Sequence, residues 1–363
     1  MFHHDAAPSR PRAVVLGGTG LIGRAVGARL LDGGWSVDLV GRDVRRFPPG
    51  LRARGARFVA ADRADPAALG RALGTGADLV VDALAYTGRH ARTLLPFLGD
   101  VAHTVMISAK AVYVDAAGNH LNSATPPRFD APIREDQPTV APGDMDHESR
   151  EGYGPNKVAA ERVFLDSGRP VTVLRPSKVH GVGSPNPREW VFVRRALDAR
   201  PAVFLSGGGR GRDQGTAAAN LAELVFAVAS RPGARILNIA DPDAPTALEI
   251  SRIVATLTGH PRDEVLLDDT RVNGIRPDGQ AEPTLGRHPW EAGHGILLDT
   301  AAARSFGYRP VGDYAATVAA PVAWLEGLAR ARGTTEGLFD GGYFTPYFDY
   351  AAEDAYLRRA RGA

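Results

Sequence analysis

Residues 13 to 23 read Ala13-Val14-Val15-Leu16-Gly17-Gly18-Thr19-Gly20-Leu21-Ile22-Gly23, a short apolar run that breaks into glycines and resumes as an amphipathic stretch. A strand that turns this tightly into a helix needs backbone without side chains. Gly17 and Gly20 leave room for a pyrophosphate to approach the amides and the positive end of the helix, and Gly23 lets the helix pack closely on the strand. The motif stands near the beginning of the chain with strand, turn and helix in the required order. Thr19, Leu21 and Ile22 complete the set of candidate cofactor contacts.

Downstream, apolar runs alternate with amphipathic segments, the pattern of a parallel sheet with crossover helices. Strands are expected near Ala13–Leu16, Ser36–Val40, Arg57–Ala60, Asp78–Asp82, His103–Ile107, Pro170–Leu174 and Arg235–Ile239. Helices are expected over Leu21–Leu31, Pro66–Leu73, Val158–Leu165, Ala217–Ala229 and Ala247–Leu257. The fold class is therefore α/β, a doubly wound parallel sheet with a smaller mixed α/β C-terminal lobe. Residues 12–180 with 215–240 are assigned to the dinucleotide domain, and 181–214 with 241–335 to the substrate lobe. Residues 116–151 carry five prolines and many acidic groups and read as a long surface excursion. The segment 336–363 holds seven aromatic residues and is expected to dock on the protein's own surface. Subunit contact in a homodimer, or cover over the site, are the alternatives.

The second informative stretch is Tyr153-Gly154-Pro155-Asn156-Lys157. Residues four apart share one helical face, so Tyr153 and Lys157 point together. An ammonium beside a phenol favours the phenolate, which lets tyrosine exchange a proton with a substrate alcohol or carbonyl. Lysine is scarce: of 43 Lys and Arg only Lys110, Lys157 and Lys178 are lysines, so one placed four residues after a tyrosine is informative.

The end of the second expected strand selects the adenosine half. A ribose hydroxyl wants an acidic partner there and a 2′-phosphate wants arginine. Arg42 is assigned to a 2′-phosphate, hence NADP, while Asp43 would serve NAD instead. Asp62, after the third strand, is a candidate at the adenine or else a helix cap.

These residues resemble the short-chain dehydrogenase/reductase superfamily, in particular its extended, NAD-dependent epimerase/dehydratase-like branch. The resemblance is carried by Gly17–Gly23, by Ile107-Ser108-Ala109-Lys110-Ala111-Val112-Tyr113, by Tyr153–Lys157 and by Leu174-Arg175-Pro176-Ser177-Lys178-Val179-His180-Gly181. It implies a Rossmann-like NAD(P)-binding domain, Tyr153 as acid/base, and Lys157 as the residue that holds the nicotinamide ribose, with Val179 also at the cofactor. It further implies a hydroxyl that hydrogen-bonds the substrate oxygen. The slot four residues before Tyr113 holds Ala109, so Ser108 is assigned that role, with local backbone capping as the alternative. Lys110 is another candidate donor, with a solvated lysine as the favoured reading. Asn186, and Arg212 of an Arg-Asp pair that resembles a diphosphate contact of sugar-nucleotide members, are candidate substrate residues. His120, Asp144, Asp146 and His147 lie in the excursion near the expected mouth.

Composition excludes other classes. No cysteine means no disulfide framework and no thiolate metal site. A formal charge of +2 supplies no field for nucleic acid or a membrane. No signal-peptide or membrane-length apolar run is visible, and the expectation is a cytoplasmic enzyme acting on a small molecule. The leading reading is an NAD(P)-dependent oxidoreductase that moves hydride between nicotinamide and a carbonyl or secondary alcohol. The alternatives are a nucleotide-sugar epimerase or dehydratase with retained cofactor, and a non-catalytic dinucleotide-sensing protein.

Overall fold

The computed structural model describes residues 10–267, 285–339 and 341–362. Residues 1–9, read above as free of a signal-peptide run, and 268–284, inside the stretch assigned to the substrate lobe, lie outside it. So do Asp340 and Ala363 of the aromatic segment. The chain runs β1 (Arg12–Leu16), α1 (Leu21–Asp32), β2 (Ser36–Gly41), α2 (Pro49–Ala53), β3 (Arg57–Ala60), α3 (Pro66–Leu73), β4 (Ala77–Asp82), α4 (Gly88–Leu94) and β5 (Val101–Ile107). After the excursion come α5 (Arg150–Leu165), β6 (Val171–Pro176), β7 (Lys178–His180), α6 (Trp190–Leu197), β8 (Ala202–Leu205), β9 (Gly215–Ala217), α7 (Ala218–Ala229) and β10 (Arg235–Ile239). The remainder is α8 (Ala247–Thr258), β11 (Asp263–Leu266), α9 (Ala301–Ser305), α10 (Tyr314–Arg332) and α11 (Tyr350–Gly362).

Seven strands form one parallel sheet in the order β10-β6-β5-β4-β1-β2-β3. Every expected strand of this sheet is present, with ends within two residues. Both faces are covered, so the strands are apolar on both sides. Alternate residues of one strand feed different cores: Ala13 and Val15 join α1 and α7, whereas Val14 and Leu16 join α3, α4 and α5. Strand order reverses between β1 and β4. Open α/β sheets bind ligands in the crevice at that point, off the carboxyl ends of the strands.

α5 begins earlier than expected. Ser149 caps it by accepting from the Gly152 amide at 2.9 Å, and Pro155 sits inside it. Tyr153 and Lys157 are therefore both helical. A Cβ on Gly152 would stand 2.0 Å from the Asp146 carbonyl, and one on Gly154 would stand 2.9 Å from that of Ala111. The two glycines let the first turn of α5 press against the excursion and the 3-10 turn Lys110–Val112.

The excursion has no long regular element but is tied down. Tyr113 bridges Thr139, and Ile133 bridges Leu298. Tyr113, Ile133, Ile296 and Leu298 form a small core of their own. Two short parallel pairs that the strand pattern did not reveal, β7 with β9 and β8 with β11, organise the C-terminal half. Its core joins Trp190, Phe192, Leu205, Ile250, Tyr314, Val318 and Leu325.

The aromatic segment docks on this half. Phe344 is buried in the same core, Phe339 packs on Trp190, and Tyr356 on Phe204. Glu353 on α11 is buried against Arg195 of α6, which also reaches the Tyr347 carbonyl at 2.7 Å. Among the described residues no helix is long and apolar enough to cross a membrane.

Candidate functional site

The glycine turn is a cradle that side chains would fill. Gly17 has φ +81°, open to glycine at little cost. A Cβ on Gly23 would lie 2.3 Å from the Gly17 carbonyl, and one on Gly18 would lie 2.6 Å from the Leu39 Cβ. Gly18, given no task from the sequence, is as constrained as the others because its amide and that of Gly17 both donate to the Val40 carbonyl, at 3.0 and 3.1 Å. Gly20 caps α1 without a side chain, and no acidic residue occupies the first turn. The amides of Leu21, Ile22 and Gly23 thus open the helix as an anion site. The cradle fits a dinucleotide pyrophosphate. Gly181, just past β7, would meet Leu21 at 2.9 Å if it carried a Cβ, and the half-buried Val179 packs against the core that α1 shares with α7.

At the adenosine end, Thr19 is buried beside Gly41, and Arg42 is exposed at the end of β2. Asp43 does not extend toward this space. It caps the following 3-10 turn and takes the amide and guanidinium of Arg45 at 2.9 to 3.0 Å, which holds its carboxyl below the ordinary value. Arg24 donates to the Thr19 carbonyl at 2.7 Å and feels Arg46. Asp62 is exposed and accepts from the Ala64 amide at 2.9 Å, closing a turn.

Lys157 is the best-anchored group of the site. Its ammonium is 2% exposed and donates to the carbonyls of Ile107, at 3.0 Å, and Ala85, at 3.1 Å. It lies 4.4 Å from the Tyr86 ring centre and 5.8 Å from that of Tyr153. Burial lowers its pKa to about 8, against the opposing pull of Asp82 and Glu161. Burial, then Tyr86, raises the Tyr153 phenol above its ordinary value, so without a ligand it keeps its proton at neutral pH. The structure brings Tyr153 and Lys157 together as the spacing implied.

Ser108 has a buried partner within the protein. It follows Met106 onto the α5 face of the sheet, because side chains alternate along a strand, and there it donates its proton to Glu161. Glu161 also holds Arg175 through two bonds, Nε–Oε1 at 3.0 Å and Nη2–Oε2 at 2.6 Å. With 3% exposure and its proton committed, Ser108 braces α5 against β5 and β6.

Lys110, expected in solvent, is 5% exposed and paired with Asp213. The 3-10 turn after β5 folds it inward. The neighbouring Arg-Asp pair is likewise reversed: Asp213, bridged to Ile296, points in, while Arg212 is exposed and acts electrostatically on Glu249 of α8. Asn186 is exposed in the turn before α6.

Sequence reasoning missed Tyr86, which packs on Lys157, and His90; the His90 ring and that of His147, already placed near the expected mouth, each lie within 6.4 Å of Tyr86. It also gave Lys178 and Asp213 no role. The scarcity of lysine was the available signal for Lys178. Beyond the rings, a cleft of about 650 Å³ opens between α4 and the excursion, lined by Arg89, His90, Asp144, His147 and Asn156 among others. No group of three or more His, Cys, Asp or Glu suited to a metal occurs among the described residues.

A family model described as the NAD dependent epimerase/dehydratase family matches residues 13–240. No curated protein sequence matches the chain. Among solved structures, the chain is similar to a UDP-glucose 4-epimerase from Stenotrophomonas maltophila with bound NAD and formylated UDP-arabinopyranose (TM-score 0.68, 17% identity, covering 89% of this chain and 100% of that one). It is similar to an epimerase from Methanothermobacter thermautotrophicus (0.66, 18%, 90% and 95%). A dTDP-glucose 4,6-dehydratase from Bacillus anthracis in complex with NAD gives 0.65, 15%, 88% and 98%. At such identities the likeness establishes the fold.

Two outcomes test the site. Gly23→Ala drives a methyl into the Gly17 carbonyl, and fluorescence titration should show NADH or NADPH binding weakened by at least about tenfold, with folding stability lowered by about 1–3 kcal/mol. Unchanged affinity removes the glycine turn from the site. Lys157 is charged below about pH 8 and neutral above it, so cofactor affinity should fall as pH rises through about 8, and Lys157→Met should bind weakly without that pH dependence. Stability runs the other way. Between about 8 and the unfolded value of 10.5 the unfolded chain holds the extra proton, so thermal unfolding should shift upward in that window.

Proposed function

The chain belongs to the NAD-dependent epimerase/dehydratase family, and we propose that it performs reversible hydride exchange at a secondary carbinol of a nucleotide-linked sugar, keeping its dinucleotide through the cycle. The observation that carries this reading is the Tyr153–Lys157 pair, set on the first turns of α5 with the ammonium bonded to backbone beyond β4 and at the end of β5. The dinucleotide, when bound, supplies the hydride acceptor and donor at its nicotinamide ring.

The side chains of this protein manage the proton. As the carbinol carbon gives up hydride, its O–H proton passes to the Tyr153 phenolate, and the same phenol returns it when the carbonyl is reduced. Lys157 holds the ribose and offers the positive charge that brings the phenol down from its raised value. Buried at that position, the ammonium acts through a low-dielectric medium, where one charge counts for more than in water. The nucleotide-sugar neighbours favour retained cofactor over net redox change.

The adenosine end favours a second reading, a net oxidoreductase using NADP. Arg42 is exposed at the end of β2, with Arg24, Arg45 and Arg46 close in sequence or space, and the carboxylate next in sequence, Asp43, is held by Arg45. Under this assignment Arg42 takes the 2′-phosphate.

Turnover with no net change in absorbance near 340 nm supports the epimerase or dehydratase, whereas steady consumption of NADPH supports the oxidoreductase. In either case Tyr153→Phe should lower kcat by about 10²-fold or more while leaving cofactor affinity in place, and activity that survives undiminished overturns the assignment. NADPH should raise the melting temperature more than NADH at equal concentration. The reverse order assigns NAD and takes Arg42 out of the site.

A further inference from the structure

The three lysines of this arginine-rich chain all lie at the carboxyl ends of β4, β5 and β6. Lys157 belongs to the proton-handling pair. Lys110 and Lys178 converge on one carboxylate: both pair with Asp213, Lys178 Nζ lying 2.8 Å from Oδ2, and Lys178 also donates to the Pro289 carbonyl. Lys110 and Asp213 are 5% and 7% exposed, Lys178 22%. Arg188 is close enough to act electrostatically on both lysines. One Arg188 nitrogen bonds the Val179 carbonyl at 3.1 Å, while its Nε is buried without a protein partner.

Among the described residues two lysines and a guanidinium face one aspartate, and Glu291, which also acts electrostatically on Lys178, is engaged by Ser206 at 2.7 Å and by the His288 amide and Arg287. Burying charge without a counterion is costly. Where a buried carboxylate elsewhere in this chain holds two cations, as Asp38 and Glu353 do, both are arginines; here both are lysines. Two lysines present compact ammoniums that one small anion can bridge.

The place is suitable as well. Lys110 is three residues past Ile107, whose carbonyl binds Lys157, and its neighbour Ala111 packs on Gly154, beside Tyr153. Lys178 opens β7, next to Val179, and the same strand leads to Gly181 against Leu21. We propose that Lys110 and Lys178, with Arg188 beside them, form a binding site for an anionic group, a carboxylate or a phosphate, borne by the substrate close to the carbon that exchanges hydride. Asp213 holds the two ammoniums in place until that anion arrives. This site lies on the side of the sugar, apart from the diphosphate role first assigned to Arg212. Burial first, then Lys178 and Arg188 for Lys110 and Arg188 for Lys178, lowers both lysines from their ordinary values, and an arriving anion favours their charged forms.

That the anion belongs to the substrate rests on the hydride-exchange reading; its binding does not, and the test is therefore direct titration rather than turnover. Isothermal titration of the full-length protein with D-glucuronate, D-glucose 6-phosphate and D-glucose should show one or both anionic sugars binding at least about tenfold tighter than glucose, the range of a charged hydrogen bond. Preference for glucuronate identifies a carboxylate and preference for the ester a phosphate. Lys178→Met leaves Asp213 paired with Lys110 and should bring the three affinities within about twofold. Should that variant fail to fold, Asp213→Asn carries the test, because removing the competing carboxylate should strengthen anion binding. Equal or absent binding of all three sugars, a preference that survives Lys178→Met, or weakened anion binding in Asp213→Asn overturns the proposal. Failure of Tyr153→Phe to reduce turnover would overturn the hydride-exchange reading and leave this binding result standing.

Discussion

The Lys157 ammonium is the point at which the site is held together. Its two bonds, to the carbonyls of Ala85 and Ile107, tie α5 to the chain leaving β4 and to the end of β5. Both carbonyls lie at the carboxyl ends of central strands, Ile107 as the last residue of β5 and Ala85 just past the turn after β4, where the ladder has run out and a backbone acceptor needs a donor from elsewhere. A buried lysine meets that need and accepts a depressed pKa in return. Its position sets that of Tyr153 one turn earlier, and Tyr86 covers the ammonium from the side of β4.

Around this anchor the same theme recurs with different partners. Glu161, one turn further along α5, receives Ser108 and Arg175 and so fastens the helix to β5 and β6. Asp82, fully buried in β4, is met by Arg63 at 2.5 Å. Asp241, also buried, gathers His180, Asn220 and the Ala217 amide where β7 meets β9. Each carboxylate is satisfied by several donors, as burial requires. The Lys110–Asp213–Lys178 group sets two cations on one carboxylate, as Arg12 and Arg57 do on Asp38, but both of its cations are lysines.

Much of the fold was legible in advance. The strands of the large sheet, buried on both faces, read as apolar runs bounded by turn residues, and the glycine turn stood in the only order that a strand-to-helix phosphate cradle allows. The short pairs β7 with β9 and β8 with β11 were not legible, since three- and four-residue strands carry too little periodicity to stand out from loops. The site divided along the same line. Tyr153 and Lys157 share a helix, so their separation follows from helical geometry alone. Ser108, Lys110, Arg212 and Asp213 sit in turns, where one residue more or less reverses inside and outside.

The order of residues along the chain was thus enough to establish the parallel sheet, the dinucleotide cradle and the tyrosine–lysine pair, because each depends on local spacing and on the period of a helix or a strand. Which polar groups meet at the carboxyl ends of the strands was settled by packing. Ser108 turned to Glu161 and Lys110 turned inward to Asp213 through contacts spanning more than fifty residues, 103 in the case of Lys110 and Asp213. Desolvation then selected the arrangement, since a buried charge must find whatever partner the fold brings near, and sequence separation holds no record of that distance.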